Sequence, residues 1–216
     1  MDPLHFCIAI APLSVYLLIL GIINLSRAPF VTTGARDAAA LAIAVLGLMI
    51  AGPMELFFPE GAASQFGGFV WIMLIVFYGL CVSLVVLLLR ARIVVYNISM
   101  DQLLPVLKAI STKLDKNTKW VGNSLVMPGR NVHLHVEPVE WMRNVQLVAG
   151  GNQQSYEGWK VLERELSAAL KPLRVGPNLP GVLFVCLSAV MAFGTAVWVI
   201  AERNNVAQAF DEMLRR

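Results

Sequence analysis

The chain has 216 residues, of which 57% are hydrophobic and only 14% charged, and its formal net charge is +3. Soluble domains carry roughly 25% charged residues, so this shortfall indicates that a large part of the chain faces lipid. The weak net charge comes without a basic stripe or interleaved aromatic residues, which excludes the usual pattern of a nucleic-acid-binding protein. Composition therefore predicts a membrane protein with room for one modest water-facing domain.

Four apolar segments reach the length of about 20 residues that a helix needs to cross a bilayer. They cover residues 4–25, 38–58, 69–89 and 179–201. The first lacks a basic leader and is longer than the apolar region of a signal peptide, so we expect a retained helix. After residue 201 we expect a short amphipathic helix, whose apolar side carries Val206, Phe210, Met213 and Leu214.

The basic residues that flank these segments predict the orientation of the chain. Lysine and arginine are enriched in cytoplasmic loops, and here they follow the first and third helices and precede the fourth. They are Arg27, Arg36, Arg90, Arg92, Lys171 and Arg174. We therefore expect a protein of the bacterial cell (inner) membrane, with both termini outside and residues 91–176 in the cytoplasm. Only the C-terminal tail opposes this orientation, because it carries Arg203, Arg215 and Arg216.

The composition changes over residues 91–176, which predict a small α+β domain. Short runs rich in β-branched residues predict strands at residues 92–98, 120–127, 131–137 and 145–149. Two amphipathic stretches predict helices, with Ser99 and Ser155 as their N-terminal capping residues. Residues 127–130, Met-Pro-Gly-Arg, match a type II turn. We expect two helices on one face of an antiparallel sheet, in a split β-α-β-like arrangement.

His133, His135 and Glu137 form the sharpest chemical candidate in the sequence. Residues two apart on a strand share a face, so the two imidazoles and the carboxylate are predicted to point the same way. Two histidines and a carboxylate are suitable zinc or iron ligands. Their spacing of roughly 6.6 to 7 Å along one strand is wide for one ion. We therefore expect no metal and no cofactor, and assign the three residues to an open sheet face that binds a partner.

The apolar segments offer packing surfaces but no ionisable group at their centres. Ion-coupled transporters and proton relays usually hold such a group near mid-bilayer. Small residues recur at four-residue spacing, which lets helices approach closely. These rows are Ala40 with Ala44, Gly47 with Ala51, and Ser188 with Ala192 and Ala196. The three cysteines, Cys7, Cys81 and Cys186, lie in apolar runs, and no phosphate-binding loop, nucleophile motif or metalloprotease motif occurs.

These observations favour a non-enzymatic membrane protein that acts as a scaffold, assembly or regulatory component through its cytoplasmic domain. Its expected partners are the lipid bilayer and another membrane or cytoplasmic protein, or a second copy of the chain, and no nucleic acid. The alternative is a small oligomeric transporter or channel that the α+β domain gates. A metal-dependent membrane enzyme is the third hypothesis, and it requires His133 and His135 to hold a metal.

Overall fold

The computed structural model of the chain describes residues 3–151 and 154–215, without the side chains of residues 204 and 211–215. The chain forms two compact units. The first, which we call the helical unit, consists of Met1–Ile19, Ala38–Leu88 and Phe184–Arg216. The second, which we call the sheet unit, consists of Leu20–Asp37 and Leu89–Leu183.

Four long apolar helices are present, as predicted, and each is long and apolar enough to cross a membrane. They are α1 (Pro3–Leu25), α2 (Gly34–Met49), α4 (Phe69–Leu88) and α7 (Leu179–Ala201). A π-helical turn, Ile50–Met54, continues α2, and the span that is long enough to cross is Gly34–Met54. The short helix α3 (Glu60–Phe66) lies between α2 and α4, and α8 (Arg203–Arg215) follows α7.

The second apolar helix differs from its predicted range of residues 38–58. It begins at Gly34, because the Thr33 hydroxyl accepts a hydrogen bond from the Arg36 backbone N–H at 3.3 Å and caps the first turn. Its regular α-helical part ends at Met49, and the π-helical turn that follows contains Pro53, which has no backbone N–H to donate.

Within the helical unit, α1 packs against both α2 and α7. Gly47 of α2 lies so close to α1 that an added Cβ would stand 1.9 Å from the Ile8 carbonyl oxygen. The Ser188 hydroxyl of α7 donates a 2.7 Å hydrogen bond to the Ser14 carbonyl of α1. Only some residues of the predicted small-residue rows lie at contacts between helices. The buried members are Ala44, Gly47 and Ser188, whereas the exposed ones are Ala40, Ala192 and Ala196.

The predicted C-terminal amphipathic helix is present as α8. Val206 is half-buried, and Phe210 is 50% exposed. The side chains of Met213 and Leu214, which the sequence places on the same apolar side, lie outside the described part of the chain.

The sheet unit contains one six-stranded sheet in which every pair of neighbouring strands is antiparallel. Its strands are β1 (Phe30–Thr33), β2 (Arg92–Tyr96), β3 (Lys119–Val121), β4 (Ser124–Met127), β5 (Val132–Val139) and β6 (Asn144–Ala149). Their order across the sheet is β1-β2-β6-β5-β4-β3. Helix α5 (Met100–Leu114) connects β2 to β3, and α6 (Tyr156–Leu170) follows β6. The antiparallel sheet and both amphipathic helices were predicted.

Both helices pack their apolar sides on one face of this sheet. The fully buried residues include Leu103 and Leu107 of α5 and Leu162 and Leu166 of α6. Both predicted helix starts also form: the Gln102 side chain accepts a hydrogen bond from the Ser99 N–H at 3.3 Å. The Ser155 hydroxyl accepts one from the Gly158 N–H at 3.2 Å.

Two local predictions for this region are wrong. The strand predicted over residues 120–127 is a hairpin, in which Gly122, with φ of +57°, and Asn123 form the two-residue turn between β3 and β4. The predicted type II turn is a 3₁₀ turn over Pro128–Arg130. Its left-handed residue is Asn131, with φ of +49°, and not the glycine that a type II turn requires.

The strand β1 was not predicted, because it lies in the short loop between α1 and α2. It pairs along its whole length with β2, from Phe30 opposite Tyr96 to Thr33 opposite Ile93. The strands that α5 connects, β2 and β3, are separated by β6, β5 and β4. The sequence predicts a split β-α-β-like arrangement without fixing the order of its strands, and the structure supplies that order.

Candidate functional site

The sheet has a core face and a second face, and strand alternation assigns each residue to one of them. On β5, Val132, Leu134 and Val136 are buried in the core. His133, His135 and Glu137 therefore share the second face, as the alternation in the sequence predicts. The register continues this face onto the neighbouring strands, because His135 lies between Ser124 of β4 and Val148 of β6.

One half of the second face is covered by other segments of the sheet unit. Its covered residues are all less than one tenth exposed: Thr32, Val94, Tyr96 and Asn144. The Tyr96 hydroxyl donates a hydrogen bond to Asp37 Oδ1 at the start of α2. Beside it the Arg92 side chain lies over Gly34, where an added Cβ would stand 2.0 Å from Arg92 Cγ. This half of the face therefore packs against the beginning of α2.

The other half of the second face is open to solvent along β4 and β5. His135 and Glu137 are exposed, and Ser124, Val126 and His133 are half-buried. Ser124 Oγ and His135 Nδ1 are 3.0 Å apart and form a hydrogen bond. We call these five residues the open half-face.

The backbone of His133 is held by a glutamine at the start of α6. The Gln154 side chain accepts a hydrogen bond from the His133 N–H at 3.2 Å and donates one to the His133 carbonyl at 2.9 Å. The Trp159 indole N–H also donates to Gln154 Oε1, at 2.9 Å. The open half-face is thus supported by a strand that is fixed to the helix layer behind it.

The open half-face does not gather its histidines and carboxylate into a metal site. Among the side chains that the structure describes, no three of His, Cys, Asp or Glu lie close enough together to hold one ion. Side chains on one strand face stand roughly 6.6 to 7 Å apart, and His135 is hydrogen-bonded to a hydroxyl. What the arrangement offers is hydrogen bonding and charge pairing at a solvent-exposed surface.

A buried cluster of amides, which we call the amide junction, was missed by sequence reasoning. Its four asparagines are at most 5% exposed: Asn24, Asn97, Asn144 and Asn178. The Asn178 side chain donates to the Met142 carbonyl at 2.7 Å and lies 3.4 Å from Asn24 Oδ1. The Asn97 side chain donates to the Ser26 carbonyl at 2.7 Å. The sequence does carry a signal for this cluster: Asn24 lies at the end of the apolar helix α1, and Asn178 directly precedes the apolar helix α7. A buried amide needs hydrogen-bond partners, so two amides at such positions indicate that each has one.

The helical unit has an apolar cleft of about 480 Å³ between α2 and α4. Its lining includes Met54, Phe77 and Val85, and its polar groups are the Tyr78 hydroxyl and the Cys81 thiol. The Tyr78 hydroxyl donates a 2.8 Å hydrogen bond to the Ala42 carbonyl. Such a lining suits hydrocarbon better than a polar solute.

No protein-family model matches the chain, and no curated protein or solved structure is significantly similar to it.

Proposed function

We propose that this chain is an integral membrane protein that acts by binding another protein, without moving solute or turning over substrate. The observation that carries this proposal is the open half-face. Half of one sheet face is covered by the chain's own segments, whereas the other half presents exposed His135 and Glu137 on a fixed strand. An open sheet face can pack against a partner.

Membrane insertion is supported by the surface of the four apolar helices. In the most apolar stretch of each helix, at most 17% of the residues are buried within the chain. Soluble monomers rarely expose contiguous apolar patches larger than a few hundred Å². We infer that these helix surfaces contact lipid. The apolar cleft between α2 and α4 would then also face the hydrocarbon of the bilayer.

The pairing of β1 with β2 indicates that the loop between α1 and α2 lies on the same side of the membrane as the rest of the sheet. The strand β1 lies between α1 and α2, and β2 follows α4, yet the two strands are hydrogen-bonded neighbours. Four membrane crossings then leave the N- and C-termini together on the opposite side. The basic residues that flank the sheet-side helix ends favour the cytoplasm for residues 91–176 and for the first loop.

Replacing both His135 and Glu137 with lysine is expected to weaken the complex that the chain forms in mild detergent. Both side chains are exposed and point away from the core, so the change in stability should be within about 0.5 kcal/mol. A complementary partner surface would instead meet two new positive charges, and mismatched charge across an interface is costly. The measurement is the amount of partner, or of a second copy, that remains bound during size-exclusion chromatography.

The matched control places two lysines elsewhere on the same unit. Thr112→Lys and Ala168→Lys change exposed positions on α5 and α6, so this variant should retain the complex. Equal retention by both double variants would contradict the role of the open half-face. Saturable solute uptake by the purified chain in liposomes, above that of empty vesicles, would contradict the proposal as a whole and favour the transporter alternative.

A further inference from the structure

We propose that the sheet unit carries a binding site for the headgroup of an anionic phospholipid, formed by Arg27, Arg174 and Trp141. This proposal rests on the membrane insertion proposed above, and it goes further by naming the class of lipid that the chain binds. Three segments converge there: the link after α1, the link before α7, and the turn between β5 and β6.

The first two segments are hydrogen-bonded to each other through their backbones. The Val175 N–H donates to the Arg27 carbonyl at 3.0 Å, and the Asn178 N–H donates to the Asn24 carbonyl at 3.1 Å. Since Arg174 directly precedes Val175, its backbone lies beside that of Arg27. The backbones of two arginines that are far apart in the sequence are thereby held side by side.

These two arginines have no acidic partner in the part of the chain that the structure describes. Both side chains are exposed, and the described ion pairs of the sheet unit use other residues, with Glu140 of the nearby turn in none of them. Two neighbouring cations without a carboxylate favour an anion between them. The guanidinium group binds phosphate oxygens in a bidentate geometry, which makes a phosphate the best fit.

The turn between β5 and β6 carries an exposed indole and is hydrogen-bonded to the link before α7. Trp141 is 70% exposed and lies in the 3₁₀ turn Glu140–Met142. This turn is tied to the link before α7, because the Asn178 side chain donates to the Met142 carbonyl at 2.7 Å. The adjacent Arg143 guanidinium donates to the Gly176 carbonyl at 3.3 Å. An exposed indole is thus held next to the start of an apolar helix.

This combination points to a lipid and not to a free anion. Helix α1 ends at Leu25 and α7 begins at Leu179, so the two arginines lie close to the apolar helix ends, at the depth of the headgroups. Tryptophan is enriched at that depth, where its ring meets the boundary and its N–H meets water. Juxtamembrane cations attract anionic lipids, with an energy that falls off within a Debye length. A free phosphate would use the arginines but not the indole.

The test is the thermal unfolding of the full chain in mild detergent with added phosphatidylglycerol, phosphatidylcholine or inorganic phosphate. A ligand that binds the native state raises Tm. We expect phosphatidylglycerol to raise Tm by about 4 °C more than phosphatidylcholine does, as two arginine contacts would for a chain of this size. Inorganic phosphate at the same concentration should give less than half of that rise. The variant Arg27→Gln/Arg174→Gln should lose the difference between the two lipids.

The controls separate this site from general electrostatics and from misfolding. Arg130→Gln/Arg164→Gln removes two exposed arginines elsewhere on the sheet unit and should retain the full difference. Arg27→Lys/Arg174→Lys should lose about half of it, because lysine keeps the charge without the bidentate geometry, and this partial loss tests the site if the glutamine variant fails to fold. Equal shifts with both lipids, or a full difference in the glutamine variant, would overturn the site. Either result leaves membrane insertion standing, since insertion is tested separately by resistance of the chain to alkaline extraction.

Discussion

Leu166→Asp is expected to unfold the sheet unit, and Leu107→Asp should do the same. Both leucines are fully buried between the helices α5 and α6 and the core face of the sheet. Losing a buried leucine alone costs about 2 to 5 kcal/mol, and an unpaired buried carboxylate adds several more. Whole domains are stable by roughly 5 to 15 kcal/mol. The measurement is loss of the near-ultraviolet circular dichroism signal, with rapid tryptic cleavage between residues 93 and 170.

The control for this prediction uses exposed positions on the same two helices. Ala109 of α5 and Ala168 of α6 are both exposed. An aspartate at either position should lower the free energy of unfolding only by its poorer helix propensity, about 0.5 kcal/mol. Ala109→Asp and Ala168→Asp should therefore resist trypsin as the unaltered chain does. Equal sensitivity of all four variants would mean that the buried sides of α5 and α6 are assigned wrongly.

Gly47→Leu is expected to separate α1 from α2 and to lower the Tm of the helical unit markedly. A Cβ at this position would stand 1.9 Å from the Ile8 carbonyl oxygen and 3.1 Å from Pro12 Cγ. Backbone atoms of a helix cannot yield to such an overlap, so the two helices must move apart. Overpacking of this kind costs about 1 to 3 kcal/mol, occasionally more. The measurement is thermal unfolding in detergent, followed by loss of α-helical circular dichroism.

The same replacement at Gly79 separates this effect from the general consequences of a larger apolar residue. Gly79 lies within α4, and an added Cβ there meets nothing within 4 Å. Gly79→Leu should leave Tm unchanged or raise it slightly, because leucine has the higher helix propensity. If the two leucine variants had the same Tm, the close crossing of α1 and α2 would be contradicted.

The four apolar helices could be predicted because their signal is local and long. An apolar run of about 20 residues has one stable form in lipid, a helix that satisfies its own backbone hydrogen bonds. The buried sides of α5 and α6 were also predictable, since a 3.6-residue period fixes which leucines share a side. These predictions needed no knowledge of any distant contact.

The strand β1 could not be predicted, because its partner is distant in the sequence. Phe30–Thr33 is four residues long, too short for an alternating pattern to stand out, and its pairing with β2 depends on tertiary structure. The hairpin at Gly122 and Asn123 is a different matter. A glycine and an asparagine between two β-rich runs are typical of a two-residue turn, so the hairpin could be predicted from the sequence.

Strand alternation was the only feature of the candidate site that the sequence could predict. Alternation places His133, His135 and Glu137 on one face, but it does not tell which half of that face other segments cover. That coverage comes from the start of α2, through Asp37 and its hydrogen bond from Tyr96. The amide junction likewise joins residues from distant parts of the chain, such as Asn24 and Asn178. A single sequence does not pair such residues.

We propose that the chain crosses the membrane four times and that its sheet lies in the cytoplasm. Thiol labelling from outside intact cells tests this proposal most directly. Single cysteines would replace Gly61, an exposed residue in the first turn of α3, and Lys116, an exposed residue after α5. The background would lack the three native cysteines, Cys7, Cys81 and Cys186. An impermeant reagent should label Gly61→Cys in intact cells and Lys116→Cys only after permeabilisation. Labelling of Lys116→Cys alone would reverse the orientation, and equal labelling of both in intact cells would contradict the proposal that the bilayer separates them.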